Sequence, residues 1–388
     1  MNLLFLMKYY QVGGQETVTN VLAHKFIEEG HQVSVVCFTE LSPIMQERAD
    51  KRIRFYRLND FSVSQKNIAT LRQILIDEKI NIIINQWGLP FVPTKVAKKA
   101  SRGLNIKYIS VYHHTPNKNA RIQDVTAQID NTSRFVVKTL LKIKRNLFAR
   151  ITKWSMRYVY RQSDKYVLLS PSYVSVFEQF TGVRNTNKLK VITNPVTIDS
   201  GNYVPDVSKK EKEIIYVGRI DYSQKRVCRI IDIWAKLETQ FPEWRLALVG
   251  DGEERKNIEQ QITTLNLKRV SVEGFKSPIE YYKRASVLLL TSAYEGFPLV
   301  LAECMSFGVI PVVYGSFSSA FDIIENDVNG LVVAPQAGKY SQESMISALL
   351  SVMQNEQGRH VMVANAIESS RKFDIEHIYK EWERLFME

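Results

Sequence analysis

An α/β fold of two doubly wound parallel-sheet domains is what this sequence predicts, on three observations. With 388 residues, 45% of them hydrophobic, the chain can bury more than one core. Short apolar runs alternate with amphipathic helical stretches, the pattern of strands joined by crossover helices in a parallel sheet. The alternation runs through the chain twice, in two series separated by a polar, turn-rich segment at about 197–212.

In the first series NLLFLM (2–7), QVSVVCF (32–38), INIIINQW (80–87), IKYISVY (106–112) and KYVLLS (165–170) read as strands, with helices over 16–29 and 67–78 between some of them. The second series gives strands EIIYVGR (213–219), RLALVG (245–250), RVSVEGF (269–275), SVLLLTS (286–292), VIPVV (309–313) and GLVVA (330–334). Helices at 226–240, 253–264, 278–284, 298–307 and 319–325 separate them. The expected domains are 1–200 and 201–388, with the last helix packing back on the first domain. NLLFLM is far shorter than the roughly 20 residues a bilayer span requires, and no basic segment precedes it, so it reads as a first buried strand.

Composition narrows the function. Cys37, Cys228 and Cys304 are widely spaced, which argues against a disulfide framework or a zinc site and for a reducing compartment, the cytosol. Residues 1–200 carry 30 Lys/Arg against 14 Asp/Glu, and residues 201–388 carry 22 against 26. A basic first half expects an anionic partner, nucleic acid or an acidic lipid surface. No P-loop is present, which removes the commonest ATP-hydrolysing class. His24, His31, His360 and His377 stand singly and are assigned no chemistry.

In doubly wound sheets ligands bind beyond the carboxyl ends of the strands. After the first strand, Gly13 and Gly14 allow a tight turn into a helix whose amides suit a phosphate, although a plain turn explains them as well. After the first strand of the second series, VGRIDYSQKRV offers Gly218 for the turn and Arg219 and Lys225 as two cations for a diphosphate. Further on, SAYEGFPLVLAECM sets Glu295 just before a helix, with Pro298 suited to its first turn, and Glu303 inside it. A buried carboxylate needs donors, and sugar hydroxyls can supply them: a ribose diol for Glu303, a hexose hydroxyl for Glu295. The plainer alternative is a carboxylate favoured by a helix dipole plus a surface glutamate.

The segments YVGRI…QKR, LVGDGEER, VEGF…YYKRASVLLLTSAYEGFPLVLAECMSFGVIPVV and DIIENDVNGLVVAP, over 213–335, resemble the donor domain of family 4 retaining glycosyltransferases. GGQE near the start and ITNPV at the hinge agree more faintly. The resemblance implies the GT-B fold, two Rossmann-like domains facing across a cleft, the first for acceptor and the second for nucleotide sugar. It also implies that Arg219 and Lys225 hold the diphosphate, Glu303 the ribose and Glu295 the transferred sugar. The family's N-terminal histidine matches His113 or its neighbour His114. The base would be met by backbone near Gly274 and Phe275, and the phosphates by amides near Gly14 and in the substrate-binding segment Gly296, Phe297, Pro298 and Leu299, where Pro298 has no N–H to give. The chain departs from the family at YGSFSSAFDII, where Phe317 and Asp322 stand in place of a Gly-Gly-Pro-like segment and a glutamate.

The expected reaction moves a sugar from a nucleotide-diphosphate sugar, UDP or GDP, to a glycan or lipid-linked saccharide of cell-surface polysaccharide or lipopolysaccharide synthesis. Retention of configuration is implied by the resemblance. No Asp-x-Asp occurs, so no metal or other cofactor is expected, and the two cations take the metal's place. Two alternatives stand beside this: a nucleotide-sugar epimerase on the same scaffold, disfavoured by EGFPLVLAE, and a basic nucleic-acid-binding protein, for which no reading module is evident.

Residues 134–165 carry ten Lys/Arg and a single acid, Asp164. Lys138, Lys142, Arg145, Lys153, Arg157 and Arg161 recur at helical steps, and Leu140, Leu141, Leu147, Phe148, Ile151, Trp154 and Tyr158 recur on a different face. An amphipathic helix with Asn146 as its weak point is expected, lying on the anionic inner face of the membrane and holding a cytoplasmic enzyme there. The alternative is that its apolar stripe packs into the first core.

Overall fold

The structure is a computed structural model that describes residues 1–198 and 203–388. The expected boundary at 200/201, and residues 199–202 of the expected linker, lie outside the described residues. Two units emerge, Met1–Thr197 with Ile375–Glu388, and Ile198–Asp374.

The first unit carries a seven-stranded sheet of β1 (Asn2–Met7), β2 (Gln32–Cys37), β3 (Arg54–Arg57), β4 (Ile82–Asn85), β5 (Lys107–Tyr112), β6 (Lys165–Leu168) and β7 (Leu189–Val191). Their spatial order is β3-β2-β1-β4-β5-β6-β7 and every pairing is parallel. Leu3 of β1 pairs with Val33 on one side and Ile82 on the other. Helices cover both faces, so the central strands are buried whichever way a side chain points, and they read as continuous apolar runs. Leu3, Leu4, Phe5, Leu6 and Met7 are all fully buried.

Two strands went unread in the sequence. β3, RFYR, and β7, LKV, lie at the sheet's edges, where alternate side chains meet solvent and charge is tolerated, so neither shows an apolar run. The expected weak point at Asn146 is not a break: Phe135–Gln162 is one uninterrupted helix of 28 residues. The last helix, Ile375–Met387, packs on Gly14–Glu28 within this unit, placing Tyr379, Trp382 and Phe386 around the Phe26 ring.

The second unit carries β8 (Glu211–Val217), β9 (Arg245–Val249), β10 (Val270–Gly274), β11 (Ala285–Leu290), β12 (Ile310–Tyr314) and β13 (Leu331–Val333). Their order, β10-β9-β8-β11-β12-β13, is again wholly parallel. In each sheet the strand order reverses at one place, between β1 and β4 and between β8 and β11. There adjacent crossovers leave in opposite directions and open a crevice at the carboxyl ends.

Candidate active site

The β8/β11 crevice gathers most of the charged residues singled out in the sequence. β8 ends at Val217, and the loop after it turns at Gly218, whose φ of +148° lies outside the range of ordinary side chains. The neighbouring loop after β9 presses on this one: a Cβ at Gly250 would lie 1.8 Å from the Gly218 carbonyl oxygen. Only glycine fits there.

Asp221 organises the loop. It is buried, and its Oδ1 accepts the backbone amides of Gln224 at 2.6 Å and Lys225 at 3.1 Å, while Oδ2 accepts Arg219 Nε at 2.9 Å. Arg219 Nη2 also donates to Gln224 Oε1 at 3.2 Å. Partial burial alone would lower the Arg219 pKa, but the hydrogen bond and charge of Asp221 outweigh it and raise it.

Glu295, from the loop after β11, is 5% exposed and has the donors its burial demands. Lys225 Nζ donates to Oε1 at 2.6 Å, Ser292 Oγ to the same oxygen at 2.7 Å, and Gln224 Nε2 to Oε2 at 3.0 Å. The sequence offered only sugar hydroxyls as donors for this carboxylate, and the structure adds three protein side chains. Lys225 keeps two further N–H groups for an anion. The loops are also stitched by backbone, Ala293 N donating to Gln224 O at 2.7 Å.

Glu303 lies in the helix Leu299–Ser306 and is 5% exposed, so it is not a surface glutamate. Tyr282 Oη donates to it at 3.2 Å. Pro298 is the N-cap of that helix rather than part of its first turn. Gly296 O accepts Ser319 Oγ at 3.1 Å, and Phe297 is buried edge-on against Phe373. Gly274 ends β10 with a φ of +72°, and Phe275 beside it is 71% exposed. In the departing segment Phe317 is buried, and Asp322 lies in the short helix Ser319–Ile323.

At the β1/β4 crevice, Gly13 is the N-cap and Gly14 the first residue of Gly14–Glu28. A Cβ at Gly13 would come 2.5 Å from Glu16 Oε2, so the glycine makes room for a folded-back carboxylate. Burial pushes the Glu16 carboxyl up to about 7, against a backbone hydrogen bond that lowers it. His113 follows β5, and its Nε2 meets Gln86 Oε1 at 2.5 Å. Burial, reinforced by His114, lowers the His113 pKa to about 3, which keeps the ring neutral. Gln86 itself accepts from Gln15 Nε2 through its carbonyl at 2.8 Å. His114 is exposed.

Sequence reasoning missed Asp221, Gln224, Ser292, Glu16 and Gln86. Asp221 had a local signal, since an aspartate three residues before an amide it can accept marks a turn. The others became visible only when separate loops met.

Against known families, residues 200–369 match the model of the glycosyl transferases group 1 and residues 12–200 that of glycosyltransferase family 4. The chain is 24% identical, over 100% of its length and 99% of the relative's, to a Campylobacter jejuni enzyme. That relative is named GalNAc-alpha-(1->4)-GalNAc-alpha-(1->3)-diNAcBac-PP-undecaprenol alpha-1,4-N-acetyl-D-galactosaminyltransferase. Two solved structures share the fold. One is the lipopolysaccharide outer core galactosyltransferase WaaB in its apo form, with TM-score 0.71, 21% identity and coverage of 100% of this chain and 99% of that one. The other is Anabaena HepE in complex with UDP, with TM-score 0.75, 19% identity and coverage of 100% of both chains.

Proposed function

We propose that this chain, which belongs to the family 4 glycosyltransferases and has their GT-B fold, moves a sugar from a UDP-sugar, or failing that a GDP-sugar, to a lipid-linked saccharide of cell-surface glycan synthesis. Transfer retains configuration and needs no divalent metal. The observation that carries this reading is the network at the β8/β11 crevice, where Arg219, Lys225 and Glu295 are fixed by Asp221 and Gln224. As the bond to the anomeric carbon breaks, negative charge gathers on the diphosphate. Two cations already oriented in a half-buried loop stabilise it without reorganising, which is where most of the rate should come from. The acceptor hydroxyl attacks on the face the diphosphate leaves, and a phosphate oxygen takes its proton. Glu303 holds the ribose and Glu295 orients the sugar, while within the first unit His113, neutral and tied to Gln86, is a hydrogen-bonding group.

The acceptor half of the reading draws on the relatives named for undecaprenyl-linked and lipopolysaccharide substrates. It is also supported by the helix Phe135–Gln162, along which Val136, Leu140, Ile143, Leu147, Ile151 and Trp154 are exposed, flanked by Lys138, Lys142 and Arg145. Among the described residues no helix is long and apolar enough to cross a membrane. We infer peripheral attachment at the inner face of the membrane.

The test is incubation with labelled UDP- and GDP-sugars and a membrane extract, with and without EDTA. Transfer to extractable lipid that persists in EDTA and falls about 100-fold, ~3 kcal/mol of barrier, in Arg219→Ala or Lys225→Ala is expected. Normal turnover in those variants would overturn the donor-site assignment, and loss in EDTA with rescue by magnesium or manganese would overturn metal independence.

A further inference from the structure

We propose that the β1/β4 crevice of the first unit contains a subsite for a sugar ring bearing an oxyanion, a carboxylate or a phosphate, centred on Lys8. The inference rests on the reading of this unit as the acceptor side and names the chemistry that side selects.

Lys8 is the residue after β1, on the lip of the crevice. Its Nζ lies 5.6 Å, 5.1 Å and 5.5 Å from the ring centroids of Tyr9, Phe61 and Trp87. Those rings follow β1, β3 and β4, so three strand ends converge on one ammonium group. The rings' negative faces compensate part of its lost hydration. They do not replace an acceptor for its N–H groups, and among the described residues Lys8 Nζ makes no ion pair and no hydrogen bond.

Two further donors, in the loop after β4, are buried as well as unpaired. Gln86, 2% exposed, gives its Oε1 to His113, while its Nε2 is buried with no partner. Trp87 Nε1 is likewise buried and unpaired. Buried donors without acceptors are rare and costly, and one such group has many explanations. Two at adjacent residues 86 and 87, beside the half-buried Lys8 ammonium of the neighbouring loop, share a deficit with it: acceptors and negative charge. A ligand bringing oxygens and an anion supplies both. Tyr9 and Trp87, meeting at 5.2 Å and 78°, add the apolar surface on which the C–H face of a pyranose can rest. A free phosphate would leave those rings unused, and a neutral sugar would leave the ammonium unpaired.

The experiment is calorimetric titration of the full chain with four probes: methyl glucuronide, glucose 1-phosphate, methyl glucoside and inorganic phosphate. At least one acidic sugar should bind tenfold or more tightly than methyl glucoside, and whether carboxylate or phosphate leads identifies the source of the oxyanion. Lys8→Met, which keeps the stem in the cage and removes the charge, should bring the preference within twofold, while Lys8→Arg keeps most of it. Should Lys8→Met fail to fold, Gln86→Met provides the check, with an expected loss of threefold or more for the acidic sugar. Equal binding of neutral and acidic sugars, a preference that survives Lys8→Met, or inorganic phosphate binding as well as the sugar phosphate would each overturn the proposal. UDP titrated into the same samples reports on the second unit separately, so failure of the donor reading would appear there and not in the acidic-sugar preference.

Discussion

Asp221 touches no substrate in the proposed reaction, yet it holds the backbone of Gln224 and Lys225 and the side chain of Arg219 in place. Each hydrogen bond to its charge is worth about 1.5–3 kcal/mol. Asp221→Ala is therefore expected to lower kcat at least tenfold while far-UV circular dichroism stays native, because the partners of its side chain lie in the loop beyond β8. The Lys225–Glu295 pair gives a second prediction. Both side chains are largely buried, so Lys225→Met alone leaves a carboxylate with one donor fewer and should cost about 3 kcal/mol. The double variant Lys225→Met with Glu295→Leu should cost less than the single one, and thermal unfolding of all four cycle members measures the coupling. Glu16 supplies a pH dependence. Its folded pKa, about 7, lies above the ordinary 4.5 of an exposed glutamate, so the fold binds its proton more tightly than the unfolded chain does. Its contribution is fully present below 4.5 and is lost as pH rises through 7, a change on the order of 3 kcal/mol. Glu16→Gln should flatten the stability curve of the first unit between pH 5 and 8, read by urea unfolding at each pH. Arg219, Lys225, Glu295 and Glu303 were legible as residues because charges in apolar, strand-end contexts demand a reason. Gln86 was not, because an amide is unremarkable in sequence and significant only beside His113.

The helix Phe135–Gln162 is divided along its length. Near its end Met156, Val159 and Tyr160 are buried with Tyr112, Tyr166 and Phe177 in the core, whereas from Phe135 to Trp154 most large apolar side chains face solvent. The core-packing alternative thus holds for the last turns, and the exposed stripe for the rest. Leu141, Phe148 and Tyr158, placed on the same apolar face by the sequence, are only partly exposed. A stripe of this size flanked by cations should bind anionic vesicles, each basic residue near the surface adding ~1 kcal/mol. Co-sedimentation with phosphatidylglycerol vesicles is expected to fall with salt. It should fall again in Lys138→Gln/Lys142→Gln/Arg145→Gln and in Leu140→Ser/Leu147→Ser/Ile151→Ser. Binding indifferent to lipid charge would leave the stripe without this role. Strands reward sequence reading unevenly for the same reason of environment. Central strands such as β1 and β11 are apolar at every position but one and were placed to within a residue or two, whereas edge strands β3 and β7 carry no such signature.

At the scale of the molecule, the first unit is not a continuous stretch of chain. Its final helix, Ile375–Met387, buries Ile378, Tyr379, Trp382, Leu385 and Phe386, and Lys25 Nζ reaches Glu376 at 2.5 Å. Ending the chain at Asp374 would expose these side chains and the Phe26 ring they cover. At about 1.5–3 kcal/mol for each large apolar side chain, the loss is comparable with the whole stability of a domain. Hydrogen exchange should then show the first unit opening while β8–β13 stay protected. By itself the sequence determined the two parallel sheets, their central strands, the basic first half and the charged loops of the second. Each of these follows from local pattern: apolar runs where both faces are covered, charges where a strand ends. Only the tertiary structure decided what those charges do to one another. Glu295 takes its donors from residues 71, 70 and three positions away, Asp221 becomes the loop's anchor, and Lys8 meets rings from three strand ends. Strand order sets such neighbours, and strand order is a property of how crossovers pack, which no stretch of residues encodes alone.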